Sequence, residues 1–306
     1  MVCGFFFFKE RSVAKLAGIK PKDAKESKPK IIVYGKAGVG KTWASIDFPG
    51  CYYVDTEGGA NRKQYRDKLI AAGATYMGPE QGSQDFNTVV EQAKLLATTK
   101  HKFKTLIIDS YTKLYNTSIS DEYAAMQAAG RDMTKTFGAE KKPAINNTRK
   151  LVGWLDKMDM NVILICHEKD QWLNGDVIGQ TFDGWEKLEY ELDLVLRVTK
   201  QGASRKSQVK KTRIEGFEDG ELFDWSYLDF ADKYGKEVIE GSVTPIKMAT
   251  EEQLSEVEHW IETVNVPEDV IAKWLKKAKA DDFSEMSSEA IQKCIEYLIK
   301  KVEAKK

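Results

Sequence analysis

Apolar residues fall along this chain in short unbroken runs: Ile31-Ile32-Val33-Tyr34, Cys51-Tyr52-Tyr53-Val54, Thr105-Leu106-Ile107-Ile108 and Val162-Ile163-Leu164-Ile165. Four nearly continuous apolar positions are what a strand buried on both faces requires. Helical stripes lie between them, as in Phe86, Val89, Val90, Ala93 and Leu96, and then Leu151, Trp154, Leu155 and Met158. This alternation predicts an α/β fold with a mostly parallel central sheet covered by helices on both faces. Leu192–Val198 is a further apolar run. Ser207–Arg213 then alternates and leads into glycine-rich turns, predicting antiparallel strands added at the sheet edge.

The sheet pattern ends around Val243-Thr244-Pro245. Thr250-Glu251-Glu252-Gln253 reads as a capping box, with Leu254, Val257, Ile261 and Val264 following at helical spacing. Pro267 opens a second helix carrying Val270, Ile271, Trp274, Leu275 and Ala278, and Ile291, Cys294, Ile295, Leu298 and Val302 stripe a third. The organisation expected is a basic N-terminal segment over 1–29, a P-loop domain over 30–245 and a small three-helix domain over 250–306. No internal repeat is visible.

Lys and Arg number 47 and Asp and Glu 47, so no global field draws the chain to nucleic acid or membrane. Local patches must supply any such binding. The four cysteines, Cys3, Cys51, Cys166 and Cys294, have no metal-ligand or redox spacing and fit a reduced, cytoplasmic setting. Nothing approaches a membrane span. Phe5-Phe6-Phe7-Phe8 lacks the basic leader of a signal peptide. It reads equally as a packed edge strand, a plug for a neighbouring subunit, or residues extraneous to the natural chain.

The candidate chemistry starts where the first run ends. Gly35-Lys36-Ala37-Gly38-Val39-Gly40-Lys41-Thr42 has every fixed position of a P-loop, between a strand and a helix start. Such a turn cradles polyphosphate with backbone N–H groups, its lysine neutralises the outer phosphates, and its threonine hydroxyl serves Mg²⁺. ATP and Mg²⁺ are therefore the expected ligands. Asp109 ends the third run at the carboxyl edge of the sheet, where α/β folds bind ligands, and is the candidate second anchor for magnesium. Its alternative is a helix cap before Ser110-Tyr111. Since Ser110 is not the glutamate many P-loop ATPases carry there, the base must sit elsewhere. Glu57, on the turn Val54-Asp55-Thr56-Glu57-Gly58-Gly59, is the candidate, against a plain capping role; Asp55 reads as structural or as a support to magnesium.

In this order and at these separations, the loop, the Glu57 turn and Asp109 resemble the RecA-type recombinase core over roughly residues 30 to 230. More narrowly the chain resembles phage ATPases with a trimmed RecA-like core that act in single-strand annealing or recombination. The resemblance implies that Glu57 is the catalytic glutamate and that the polar residue ending the fourth strand senses the γ-phosphate. Here that residue is His167, where the bacterial pattern prefers Gln or Asn, which would make activity pH-dependent. A structural histidine is the other reading. The resemblance also implies hydrolysis between subunits, with a cation from the adjacent copy. Lys211 and Arg213 are the candidates, against a basic edge strand that merely resists aggregation.

Lys200, Arg205, Lys206, Lys210, Lys211 and Arg213 form a basic stretch with no acidic residue between Lys200 and Ile214. The stretch Glu168–Asp176, running on to Phe182 and Trp185, lies where recombinases carry a DNA-facing loop; its aromatics suit base stacking and its acids oppose phosphate, while Trp185, at the start of an apparent helix, reads also as core. The expectation is an ATP-hydrolysing, homo-oligomeric protein, ring or filament, acting on single-stranded DNA in the host cytoplasm if phage-encoded. The competing readings are an ATP-gated loader or interaction module and a helicase-related motor. The C-terminal helices read first as their own small core and second as a module that docks a protein partner or tethers DNA.

Overall fold

The computed structural model describes residues 27–303; the Phe5–Phe8 cluster and the basic segment before residue 27 lie outside the described residues. Nine strands occur among them: β1 (Lys30–Gly35), β2 (Cys51–Asp55), β3 (Thr75–Met77), β4 (Thr105–Asp109), β5 (Asn161–Leu173), β6 (Asp176–Phe182), β7 (Leu194–Gln201), β8 (Ser204–Thr212) and β9 (Leu222–Asp224). The sheet order is β3-β2-β4-β5-β1-β7-β8-β9, with β6 paired to β5 alone. The first six in that order run parallel, and β8 and β9 are antiparallel additions. This is the α/β, mostly parallel architecture that the apolar runs predict.

Strand β1 is buried along its whole length, and its side chains divide by parity. Ile32 and Tyr34 enter one core layer, with the helices Phe86–Thr98, Tyr111–Ala128 and Lys142–Lys157. Ile31 and Val33 enter the other, with Phe48, Leu69, Trp225 and Phe230. Each such apolar side chain contributes about 1.5–3 kcal/mol on burial, which holds the central strands rigid beneath the site. Register then aligns their ends: Gly35 pairs with His167, and Asp55 with Asp109. Four chemically distinct strand ends therefore share one edge.

One feature departs from the sequence expectation, and one open reading closes. The stretch after His167 is a ribbon and not a loop: β5 continues to Leu173, turns through Asn174 (φ 53°) and Gly175 (φ 93°), and returns as β6. Two successive positive φ values match the right-handed twist of a tight hairpin, and Asn-Gly is the pair that supplies them most readily. Trp185 is core, with the Arg149 guanidinium over its ring, and is no part of an exposed stacking surface.

The helices Glu251–Val264, Glu268–Ala278 and Ser288–Glu303 gather their own apolar cluster around Val257, Ile291, Ile295 and Leu298. Thr250 and Gln253 close the capping box at the first of them. The bundle meets the sheet layer through polar contacts, including Lys150 to Asp281 at 2.5 Å and Lys157 Nζ to the Lys279 carbonyl at 3.0 Å.

Candidate functional site

Strand β1 ends in a loop that only small residues permit. Gly38 (φ 75°) and Gly40 (φ 93°) are left-handed. A Cβ on Gly35 would run into the Val198 carbonyl of β7. The helix that follows, Lys41–Ser45, is short, so an anion here would meet the backbone N–H groups of the loop more than the end of a helix. Lys36, Ala37 and Gly38 are exposed or face solvent at the rim, while Lys41 is buried and folds back to donate to the Gly35 and Lys36 carbonyls at 2.7 and 3.0 Å. Burial lowers its ammonium pKa, and the Asp109 and Glu57 carboxylates oppose that shift.

Thr42 Oγ1 donates to Asp109 Oδ2 at 2.5 Å, and the Tyr53 hydroxyl donates to the same oxygen at 2.8 Å. Burial raises the Asp109 carboxyl pKa, and these two hydroxyls pull it back. Asp109 caps no helix: Ser110 does, its Oγ accepting from the Lys113 N–H at 3.2 Å. A hydroxyl and a carboxylate in contact are the hard oxygen donors that Mg²⁺ takes from protein, its other positions going to water and phosphate. The donor set fits that ion.

Asp55 builds the turn that presents Glu57. Its buried carboxylate accepts from the backbone N–H groups of Glu57, Gly58, Gly59 and Ala60 at 2.8–3.2 Å, and from the Tyr76 hydroxyl at 3.2 Å. Glu57 therefore projects from a fixed frame. Its Oε1 accepts from Ser110 Oγ at 2.6 Å and lies 2.6 Å from His167 Nε2. The bond to His167 is the largest cause of a Glu57 pKa lowered to about 2, with partial burial opposing and Ser110 assisting. The same bond raises the His167 pKa above its usual value of 6.5 against the effect of burial.

The structure thus brings Lys41, Thr42, Asp109, Glu57 and His167 to one edge, and does not bring Lys211 and Arg213 there. Because β8 runs antiparallel to β7, Lys211 pairs with Val195 and Thr212 with Leu194, level with Ile31 and Ile32 at the amino ends of the strands. Lys211 Nζ donates to the Leu192 carbonyl, and Arg213 Nη2 to the Tyr190 carbonyl. Neither lies near this chain's own P-loop. Sequence reasoning missed Ser110, next to Asp109 in the chain, and Tyr53, whose hydroxyl reaches the Asp109 carboxylate.

A mostly parallel sheet in this strand order, with a P-loop after β1 and a carboxylate ending β4, is a P-loop nucleotide-binding fold. The chain belongs to the AAA domain family, whose profile matches residues 27–238. P-loop ATPases of this kind use ATP with Mg²⁺. Among solved structures the chain is similar to one described as the RadB recombinase, at 16% identity and a TM-score of 0.41, covering 64% of this chain and 86% of that one. No curated protein matches. Among the described residues no helix is long and apolar enough to cross a membrane.

Proposed function

We propose that this protein binds ATP with Mg²⁺ at the carboxyl edge, hydrolyses it, and couples hydrolysis to single-stranded DNA held by the β5–β6 ribbon, in annealing or recombination of the phage type. The observation that carries the reading is the bond between Glu57 and His167, because His167 sits on the strand whose far end forms the exposed ribbon.

Thr42 and Asp109 would hold the metal, whose charge when bound offsets that of the outer phosphates. Lys41 would exchange its two carbonyl acceptors for phosphate oxygens. Glu57 would orient a water and take its proton, a task its low pKa opposes while His167 is bonded to it. Releasing that bond returns the carboxylate toward its ordinary basicity. Trp172 is 63% exposed at the ribbon tip, with Leu173, Val177 and Ile178 exposed beside it. Base stacking on an aromatic contributes about 1–3 kcal/mol, and strain on the ribbon would reach His167 along β5. In this proposal Lys211 and Arg213 serve only a neighbouring copy in a ring or filament.

Phosphate release measured with and without single-stranded DNA tests the proposal. Turnover is expected to rise several-fold with DNA, and DNA binding to weaken steeply with salt. Equal turnover at every DNA and salt concentration would remove the DNA half of the reading.

A further inference from the structure

The β7–β8 hairpin crosses the sheet from one edge to the other, and its tip stands at the P-loop. Val198 of β7 presses its carbonyl on Gly35, and across the turn Lys200 pairs with Arg205. The Arg205 side chain lies directly on Gly40: a Cβ at residue 40 would fall on its Nε and Cδ. One tryptophan fixes both sides of this contact. The Trp225 N–H donates to the Arg205 carbonyl at 2.8 Å, and its indole N–H to the Lys41 carbonyl at 3.3 Å.

The guanidinium held there is poorly satisfied. Arg205 Nε is buried and has no hydrogen-bond partner among the described residues, and Nη1 makes only a long contact, 3.5 Å, to the Ala203 carbonyl. Its neighbour Lys206 is by contrast paired with Asp224 at 2.9 Å. A guanidinium stays charged at all accessible pH, and its planar fork of N–H donors matches phosphate oxygens. A buried N–H without an acceptor is costly, so the arrangement calls for an acceptor brought by a ligand.

We propose that Arg205 binds the phosphate chain of the nucleotide, as a cation supplied by the same chain that supplies the P-loop. The proposal rests on the reading of Gly35–Thr42 as the nucleotide site. It makes nucleotide affinity a property of the single subunit, independent of any cation offered by a neighbour. The phosphates of single-stranded DNA share this chemistry, and the test separates the two sources.

Calorimetric titration of ADP, without DNA, into the full chain and its variants tests the assignment. Arg205→Ala should weaken ADP binding about tenfold or more, the factor typical of one lost charge-assisted hydrogen bond. Arg205→Lys, which keeps charge and stem but loses the fork, should fall between. Lys200→Ala, removing an equal charge directly across the hairpin, should stay within about twofold. The melting temperature of Arg205→Ala without nucleotide should match wild type, while its upward shift with ADP shrinks. If Arg205→Ala does not fold, Arg205→Lys carries the comparison. Unchanged ADP affinity in the Arg205 variants, an equal loss in Lys200→Ala, or a loss confined to single-stranded DNA measured without nucleotide overturns the proposal. A wild-type chain that binds no ADP overturns the P-loop reading first, and this proposal with it.

Discussion

At the amino edge of the sheet, lysine ammoniums end on main-chain carbonyls; at the carboxyl edge Lys41 does the same, but the hydroxyl, carboxylate and imidazole groups around it end on one another. Lys30 Nζ donates to the Met158 and Met160 carbonyls, just past the helix Lys142–Lys157, and Lys28 Nζ donates to Val238 and Gly241, around the end of the helix Lys236–Glu240. Terminal helix carbonyls lack intrahelical donors and carry partial negative charge, so a cation there is a fixed structural part. At the other edge Thr42 meets Asp109, while Ser110 and His167 meet Glu57. Bonds between side chains exchange partners without unmaking a helix end. On the function proposed above, the difference divides stability at one edge from chemistry at the other.

Glu57→Gln tests the comparison with the largest effect. The amide keeps the size and the hydrogen bond from Ser110 but cannot take a proton, so ATP turnover should fall by about 10²–10⁴, with nucleotide affinity within a few-fold of wild type. Phosphate release and calorimetry on one preparation decide it. Turnover near wild type would remove Glu57 from the chemistry.

Lys30→Met probes the opposite edge. It leaves two carbonyls without their donor and should lower unfolding free energy by about 1–3 kcal/mol in a denaturant titration, leaving turnover and ADP affinity unchanged. Burial lowers the Lys30 pKa from 10.5 to about 8. Between those values the unfolded chain binds more protons, so this residue makes wild-type stability rise with pH there, and the variant should lack that part of the rise. A loss of turnover without a loss of stability would break the division between the edges.

The carboxyl edge was largely legible because its residues sit where apolar runs stop: Gly35, Glu57, Asp109 and His167 each come at or just past the end of a run that composition alone marks. The antiparallel addition at the sheet edge was legible too, but which end of it meets the P-loop was not. Lys210-Lys211-Thr212-Arg213 attracts attention as the densest basic cluster, yet β8 runs back toward the amino edge and puts Arg205, at its start, beside the P-loop. Local spacing cannot report that placement, since it depends on where the strand starts and on its register against β7. The ribbon was hidden for a different reason. Its residues are polar or exposed on both faces, so no apolar alternation marks β5 beyond Cys166, and only Asn174-Gly175 betrays the turn.

The smallest effect concerns His167, and it separates function from stability within one pair. Protonated, the imidazole holds Glu57 through a charge-assisted bond; as pH rises through its raised pKa the charge is lost and the grip weakens. Turnover should therefore climb roughly three- to tenfold with an inflection above pH 6.5, and His167→Asn, which donates without titrating, should lack the inflection. Stability runs the other way. The histidine's contribution is fully present below 6.5 and is lost as pH rises through its folded-state pKa, whereas that of Glu57 is present above 4.5 and is lost as pH falls through about 2. Both side chains are about half exposed, so the melting-temperature change is small. Turnover rising while melting temperature declines over the same interval is what a releasable carboxylate produces; both rising together would mean that His167 serves the fold and leaves Glu57 to act unaided.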